Sequence, residues 1–281
     1  MLISQYFVEF IFYSFLGWVW ESIYCSINEK KWADRGFLFG PICPIYGSCV
    51  VATSALFSLF GFLSSPDFPV WGVFIICYIG SAVAEYATSW VLEKRFHARW
   101  WDYSTIPLNI NGRICVPVSI AFGLAGVVIV KYLIPAVEGI HEVVPALVYS
   151  ILAIIFAAIF GADFALTEAS LSALLKDVEK MHEDFNVKAQ ARYEKVADAP
   201  KKIEQKIMVE REMAELRYDQ FVSEYAERLS FNQKRILLGI QKFTPKVSIE
   251  MPNLEAYRLH RNKLNNALKD RVRELRGKKN K

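Results

Sequence analysis

Charged side chains are scarce in the first part of this 281-residue chain. Residues 1–165 hold 8 Lys+Arg and 11 Asp+Glu, whereas residues 166–281 hold 25 and 18. So long a stretch with so few charges is atypical of a water-soluble domain, and the contrast indicates two parts in two solvents. We therefore predict an all-α, polytopic membrane protein with a transmembrane domain at 1–165 and a cytosolic helical arm at 166–281.

Motifs for metal, redox and nucleotide chemistry are missing as well. The five cysteines form no CxxC pair, no His/Cys spacing suits zinc, and no G-x-x-x-x-G-K-S/T phosphate loop is present. No Ser/His/Asp or Cys/His constellation stands out either. The sequence therefore predicts no cofactor and no metal site, and an ATPase that acts with this chain would have to be a separate subunit.

Five apolar stretches are long enough to cross the hydrocarbon core of a bilayer, which takes about 20 helical residues. Their predicted bounds are 4–26, 40–63, 70–92, 114–134 and 143–165. Long continuous runs of this kind satisfy their backbone in lipid as α-helices, because barrel strands would be shorter and would alternate.

The basic residues predict the direction of these spans. The loops 27–39 and 93–113 and the arm are rich in Lys and Arg, whereas the short connections 64–69 and 135–142 contain neither. Basic segments favour the cytosolic side of a membrane, and five crossings put these three on one side. We therefore predict a multi-pass protein of the cell membrane with its N-terminus outside and its C-terminus in the cytosol.

Acidic residues recur at one depth in this predicted arrangement. Glu21, Glu85 and Asp163 lie near the cytosolic ends of spans one, three and five, whereas Glu9 lies in the outer half of span one. An ionised group inside a bilayer costs on the order of 3 kcal/mol, so each acid is expected to have a partner or a water-filled cavity.

The two basic loops offer partners for these acids. Arg35, Arg99 and Arg113 could pair with them, or could hold a carboxylate or phosphate ligand through their guanidinium forks. Taken singly, each polar residue also fits a structural role at the headgroup level. The candidate site combines acidic, basic, aromatic and amide side chains, which are Glu21, Arg35, Glu85, Trp101, Asp102, Asn109 and Arg113.

The arm carries apolar stripes at helical spacing. The predicted helices are 166–199, 201–242 and 253–276, with prolines between them. Each stripe must be buried, either in an antiparallel helical hairpin or in a dimeric coiled coil with a second copy or a partner chain. The mixed signs of charge on the arm favour a solvated surface, so nucleic acid is not an expected partner.

Several motifs within residues 5–135 are similar to those of one family. They are Gly17-Trp18 with Glu21, and the runs 35–38, 40–47, 100–104 and 109–113. With these motifs the chain resembles the bacterial family called putative ABC-transporter type IV, the CmpB-like ABC transporter permeases. The resemblance implies a membrane permease, with no assigned substrate or catalytic residues, and the arm lies outside the matching region.

Three functions are open at this point. In the first, polar groups on several helices line a cytosol-facing cavity for a small solute such as an anion. In the second, Glu21, Glu85 and Asp102 are acid/base groups of a membrane-embedded enzyme whose arginines hold a lipid phosphate. In the third, the membrane half anchors a scaffold whose arm binds a partner. The family resemblance favours transport.

Overall fold

The structure, a computed structural model, describes residues 3–30, 36–65, 67–197, 220, 222–243 and 254–279. The chain divides into two compact units, Met1–Glu168 and Ala169–Lys281. The helices are α1 Ile3–Glu29, α2 Pro44–Leu59, α3 Val70–Phe96, α4 Val116–Val128, α5 Ile134–Val143 and α6 Ala146–Ala197, then α7 at 222–228, α8 Phe231–Gly239 and α9 Leu254–Lys279. The short strands are β1 Ala98–Arg99, β2 Asn109–Ile110, β3 Ile114–Cys115 and β4 Lys242–Phe243. The predicted all-α membrane class is confirmed.

Four helical segments are long and apolar enough to cross a membrane. They are Ile3–Ile27, Val70–Phe96, Val116–Val143 and Ala146–Val178. The chain is therefore a multi-pass membrane protein, and the side on which each terminus lies stays a prediction.

The predicted second span, 40–63, contains a shorter helix. Helix α2 has 16 residues and rises about 24 Å, which is less than the hydrocarbon core of about 30 Å. The residues before it are not helical, because Pro41 and Pro44 lack the backbone N–H and Pro44 suits only a first helical turn. The five predicted spans thus correspond to four long helices and one short one.

The start of α2 lies beside the middle of α1. The backbone N–H of Cys43 donates to the carbonyl of Ser14 at 2.9 Å. Just beyond it, a Cβ on Gly17 would clash with the ring of Tyr46, so the glycine permits this close approach. Segment 36–43 therefore reaches the depth of Ser14 as irregular backbone.

The predicted connection 135–142 is helical. Helices α4 and α5 form one apolar run, interrupted only by a π-helical turn at Ile129–Leu133. Pro135 lies in the first turn of α5, and the π turn before it relieves the clash that a proline ring makes with a preceding carbonyl. The chain reverses instead at residues 144–145, ahead of α6.

Both non-helical loops lie at one end of the membrane unit. The ring of Phe37 in the first loop packs against Trp100 in the second, with centroids 5.3 Å apart. We call this the loop end. The opposite end contains the first turns of α1, the end of α5 and the start of α6, because His141 of α5 contacts both Glu9 and Tyr149.

The second unit buries the apolar stripes of the arm within a single chain. The buried side chains include Leu171, Leu174, Val178, Leu264, Leu268 and Val272, none more than 2% exposed. In the same unit, Lys269 donates to the carbonyl of Ile240 and Arg271 donates to Ser223. Single-chain burial is thus sufficient for these parts of the stripes.

The predicted helix 201–242 is broken at Ser230, and its residues 201–219 lie outside the described part of the chain. Gln233 N donates to Ser230 Oγ at 3.2 Å, and Ser230 N donates to Gln233 Oε1 at 2.9 Å. This reciprocal capping box starts a new helix, α8. The predicted helix 166–199, in contrast, is the continuation of α6, which runs unbroken to Ala197.

Replacing Ser230 by alanine is expected to weaken the start of α8 by about 1 kcal/mol, because the side-chain acceptor of the capping box is lost. Hydrogen exchange of the full-length protein in detergent, followed by mass spectrometry, should show faster exchange at residues 231–234. Ser230→Asp keeps an acceptor and is the matched control. Equal exchange in Ser230→Ala and the wild type would contradict the capping role.

Candidate functional site

The second loop, residues 97–113, is folded by its own turn chemistry. Strands β2 and β3 pair antiparallel, with Asn109 opposite Cys115. Between them Asn111 and Gly112 have φ angles of 54° and 67°, a left-handed conformation that asparagine and glycine adopt most readily. A side chain at Gly112 would also clash with the carboxylate of Asp102. Both the backbone conformation and the lack of space therefore require glycine at this position.

Three of the predicted site residues hold this loop together. Trp101 Nε1 donates to the carbonyl of Arg113 at 2.9 Å. Asn109 Nδ2 donates to the carbonyl of Ile106 at 2.7 Å, and its Oδ1 accepts from the N–H of residue 112 at 3.0 Å. Asp102 Oδ1 accepts from the N–H of residue 104 at 3.2 Å. These contacts position the loop.

Asp102 Oδ1 lies 4.0 Å from Arg99 Nη1, and Glu93 pairs with both arginines of this loop. Its Oε2 lies 2.6 Å from both Arg99 Nε and Arg113 Nη2. Arg113 also donates to Ser89 Oγ at 3.2 Å and is 9% exposed. The predicted pairing of these arginines with Glu21, Glu85 or Asp163 is therefore wrong. Arg35 lies outside the described residues.

The acids Glu21 and Glu85 come together at the loop end with two tyrosines. Tyr103 Oη donates to Glu85 Oε1 at 3.2 Å, and the side chain of Tyr46 forms a hydrogen bond with Glu21. The two carboxylates are close enough to interact electrostatically. Burial, and then the charge of Glu85, raises the pKa of Tyr103, so its hydroxyl stays protonated as a donor. We call these four residues the acidic cluster.

The acidic cluster is not fully paired. Glu85 is 7% exposed, and its Oε2 has no hydrogen-bond partner among the described residues. An orphaned carboxylate oxygen in a buried place costs free energy, and such atoms in a folded protein are often explained by a ligand or a functional role. Two carboxylates with an open acceptor suit a cation or a hydrogen-bond donor.

Asp163 holds the first loop in place, just before the start of α2. Its Oδ1 accepts from the N–H of Phe39 at 3.0 Å and its Oδ2 from the N–H of Gly40 at 2.8 Å. Thr167 Oγ1 donates to Oδ1 at 3.3 Å. The sequence indicated an acid at the inner end of span five that could pair with an arginine, whereas the carboxylate of Asp163 satisfies irregular backbone that lipid would leave unpaired.

A cavity of about 410 Å³ lies between α1 and α6, apart from the acidic cluster. Its walls are almost wholly apolar and come from residues Val8, Ile11, Phe12, Phe15, Gly40, Pro41, Ile42, Phe156, Ile159, Phe160 and Asp163. Both oxygens of its one carboxylate are engaged by the first loop. Across the described part of the chain, no group of three or more His, Cys, Asp or Glu side chains is arranged to hold a metal ion.

Sequence reasoning missed Glu93, Tyr46 and Tyr103. A signal for Glu93 exists, because Glu85, Ser89 and Glu93 follow at intervals of four and so lie on one face of α3. Tyr46 and Tyr103 belong to motifs that the sequence singled out. Nothing in their spacing, however, indicates which acid each would contact.

Comparison with known proteins identifies a family that matches this chain. Residues 8–168 match the model of the family described as Putative ABC-transporter type IV, whereas neither a curated protein nor a solved structure matches the chain. The matched region ends where the first compact unit ends and contains both loops and the acidic cluster. Because the match covers more than half of the chain, the protein belongs to the family Putative ABC-transporter type IV.

Proposed function

We propose that this chain is the membrane subunit of a transporter and that the acidic cluster contacts the solute. The observation that carries the proposal is the buried Oε2 of Glu85, which has no partner among the described residues although a second carboxylate, Glu21, lies beside it. A solute that supplies a positive charge or a donor would satisfy this oxygen. Family membership supports transport as the class of function.

The charges at the loop end favour a cationic solute. Arg99 and Arg113, which had suggested an anion, are paired with Glu93. To hold a phosphate they would have to leave that carboxylate, so the arrangement also weighs against an enzyme that acts on lipid phosphate. The acidic cluster instead offers two carboxylates and two phenols, a combination that suits a small cation or a protonated amine.

The energy for transport would come from a second protein subunit. The sequence has no phosphate-binding loop for ATP, so we assign ATP hydrolysis to a separate subunit that would meet the loop end. This arrangement agrees with the predicted orientation, in which the basic loops and the arm face the cytosol.

Glu85→Gln is expected to weaken binding of a small cation at the acidic cluster at least about tenfold, because a unit charge near the ligand is removed from a poorly solvated place. Binding of radiolabelled methylammonium to purified protein in nanodiscs, and its exchange across proteoliposomes, measure the effect. The thermal melting curve checks that the variant is folded.

Glu168→Gln is the matched control for this experiment. It removes the same charge from an exposed carboxylate that pairs with Arg95, and we expect binding within about twofold of wild type. Wild-type binding and exchange in a folded Glu85→Gln protein would contradict the proposed site. Absence of binding of both methylammonium and radiolabelled sodium to the wild-type protein would contradict a cationic solute.

A further inference from the structure

The buried face of α1 is polar over most of its length. Glu9, Tyr13, Ser14 and Ser22 are each at most 3% exposed, whereas Trp20 on the other side is 64% exposed. Oε2 of Glu9 and the hydroxyls of Ser14 and Ser22 have no hydrogen-bond partner among the described residues. Serines are common where membrane helices pack, but an ionisable side chain such as Glu9 inside a membrane helix is by default a candidate for a functional site.

At the opposite end, Glu9 belongs to a chain of three side chains from three helices. His141 Nε2 lies 2.5 Å from Glu9 Oε1, and His141 Nδ1 lies 2.7 Å from the hydroxyl of Tyr149. When Tyr149 donates to Nδ1, Nε2 carries the hydrogen and donates to Glu9. In either protonation state of the imidazole, the contact with His141 occupies Oε1 of Glu9 and not its Oε2.

The second carboxylate oxygen of Glu9 is left open by this chain. Glu9 is 3% exposed, and its Oε1 is fixed by His141 while its Oε2 has no partner within the described residues. Glu138 of α5 is exposed and lies near enough to add to the negative potential at Glu9. Glu85 is likewise a buried carboxylate that has one oxygen hydrogen-bonded and the other without a partner among the described residues.

We propose that Glu9, positioned by His141 and Tyr149, is a second cation-binding site of this protein. It lies 12 residues from Glu21 along α1, a rise of about 18 Å. The inference rests on the proposed function and deepens it, since the polar face of α1, with Ser14 between, joins two sites for the same class of solute. Glu9 contacts the cation, and His141 and Tyr149 act as positioning residues.

The number of bound cations tests this second site. Saturation binding of radiolabelled methylammonium, and separately of radiolabelled sodium, should give two sites per wild-type chain in nanodiscs for the cation that fits. Glu9→Gln and Glu85→Gln should each leave one site, and the double variant none. Glu138→Gln, which removes an exposed carboxylate at the same end, should leave two. Comparison of the two probes shows whether an ammonium group or a metal cation is held.

Tyr149→Phe keeps the carboxylate and removes only its indirect support, so it serves if Glu9→Gln does not fold. We expect about fivefold weaker binding at one site and unchanged affinity at the other. Two unchanged sites in Glu9→Gln would overturn the inference. A single wild-type site that Glu85→Gln abolishes would overturn it while leaving the proposed function intact, whereas no site for either cation would overturn both.

Discussion

Cys43 should become reactive toward a membrane-permeant maleimide when Asp163 is replaced by alanine. Cys43 as a whole is 4% exposed in the wild type and lies three residues after Gly40, whose N–H donates to Asp163. Without the carboxylate, the N–H groups of Phe39 and Gly40 lose their acceptor, next to the apolar cavity that Gly40 and Asp163 line. Each unpaired N–H costs about 1–3 kcal/mol, and more in lipid. We therefore expect a loss of about 4 kcal/mol and faster hydrogen exchange at residues 39–43.

Two milder substitutions at the same place should have smaller effects on the labelling of Cys43. Asp163→Asn keeps one carbonyl oxygen and should restore one of the two backbone bonds, so labelling of Cys43 should be intermediate. Thr167→Val removes only the hydroxyl bond to Asp163, worth about 1 kcal/mol, and should leave Cys43 protected. If alanine at 163 left both exchange and labelling at wild-type values, another group would have to hold the loop.

The long membrane helices were predictable because their apolar runs exceed the thickness of the hydrocarbon core. The prolines and glycines around α2 indicated irregular backbone, but the depth of that segment depends on the hydrogen bond from Cys43 to Ser14. Likewise Pro135 suggested a turn, whereas a π-helical turn before it keeps the helix continuous. The first difference comes from a contact between distant residues, which local sequence patterns do not encode, and the second from a local change of the helix that a single proline does not reveal.

For the candidate site, the sequence indicated which residues would be important but not which of them would contact each other. Glu21 and Glu85 do lie together, because both face the same end of the unit. Trp101, Asp102 and Asn109, however, make backbone contacts that shape a turn. Charge alone could not distinguish Glu85 from Glu93 as the partner of an arginine. The choice depends on the hairpin at Asn111-Gly112, which determines where Arg113 emerges.

Glu93→Gln should destabilise the membrane unit by about 3–5 kcal/mol, the usual effect of breaking a buried ion pair from one side. Arg99, Arg113 and Glu93 have side chains only 11–16% exposed, so water screens the lost attraction poorly. Both guanidinium groups would lose their shared carboxylate. The apparent melting temperature in detergent should fall by on the order of 10 °C.

Glu168→Gln breaks a different ion pair at the same end and is the control for Glu93→Gln. Arg95 and Glu168 are 60% and 37% exposed, so this change should cost at most about 1 kcal/mol. Below its melting temperature, Glu93→Gln should still bind methylammonium as the wild type does, because we assign Arg99 and Arg113 to support of the second loop. A variant that melts like the wild type but loses that binding would instead make these arginines and Glu93 part of the solute site.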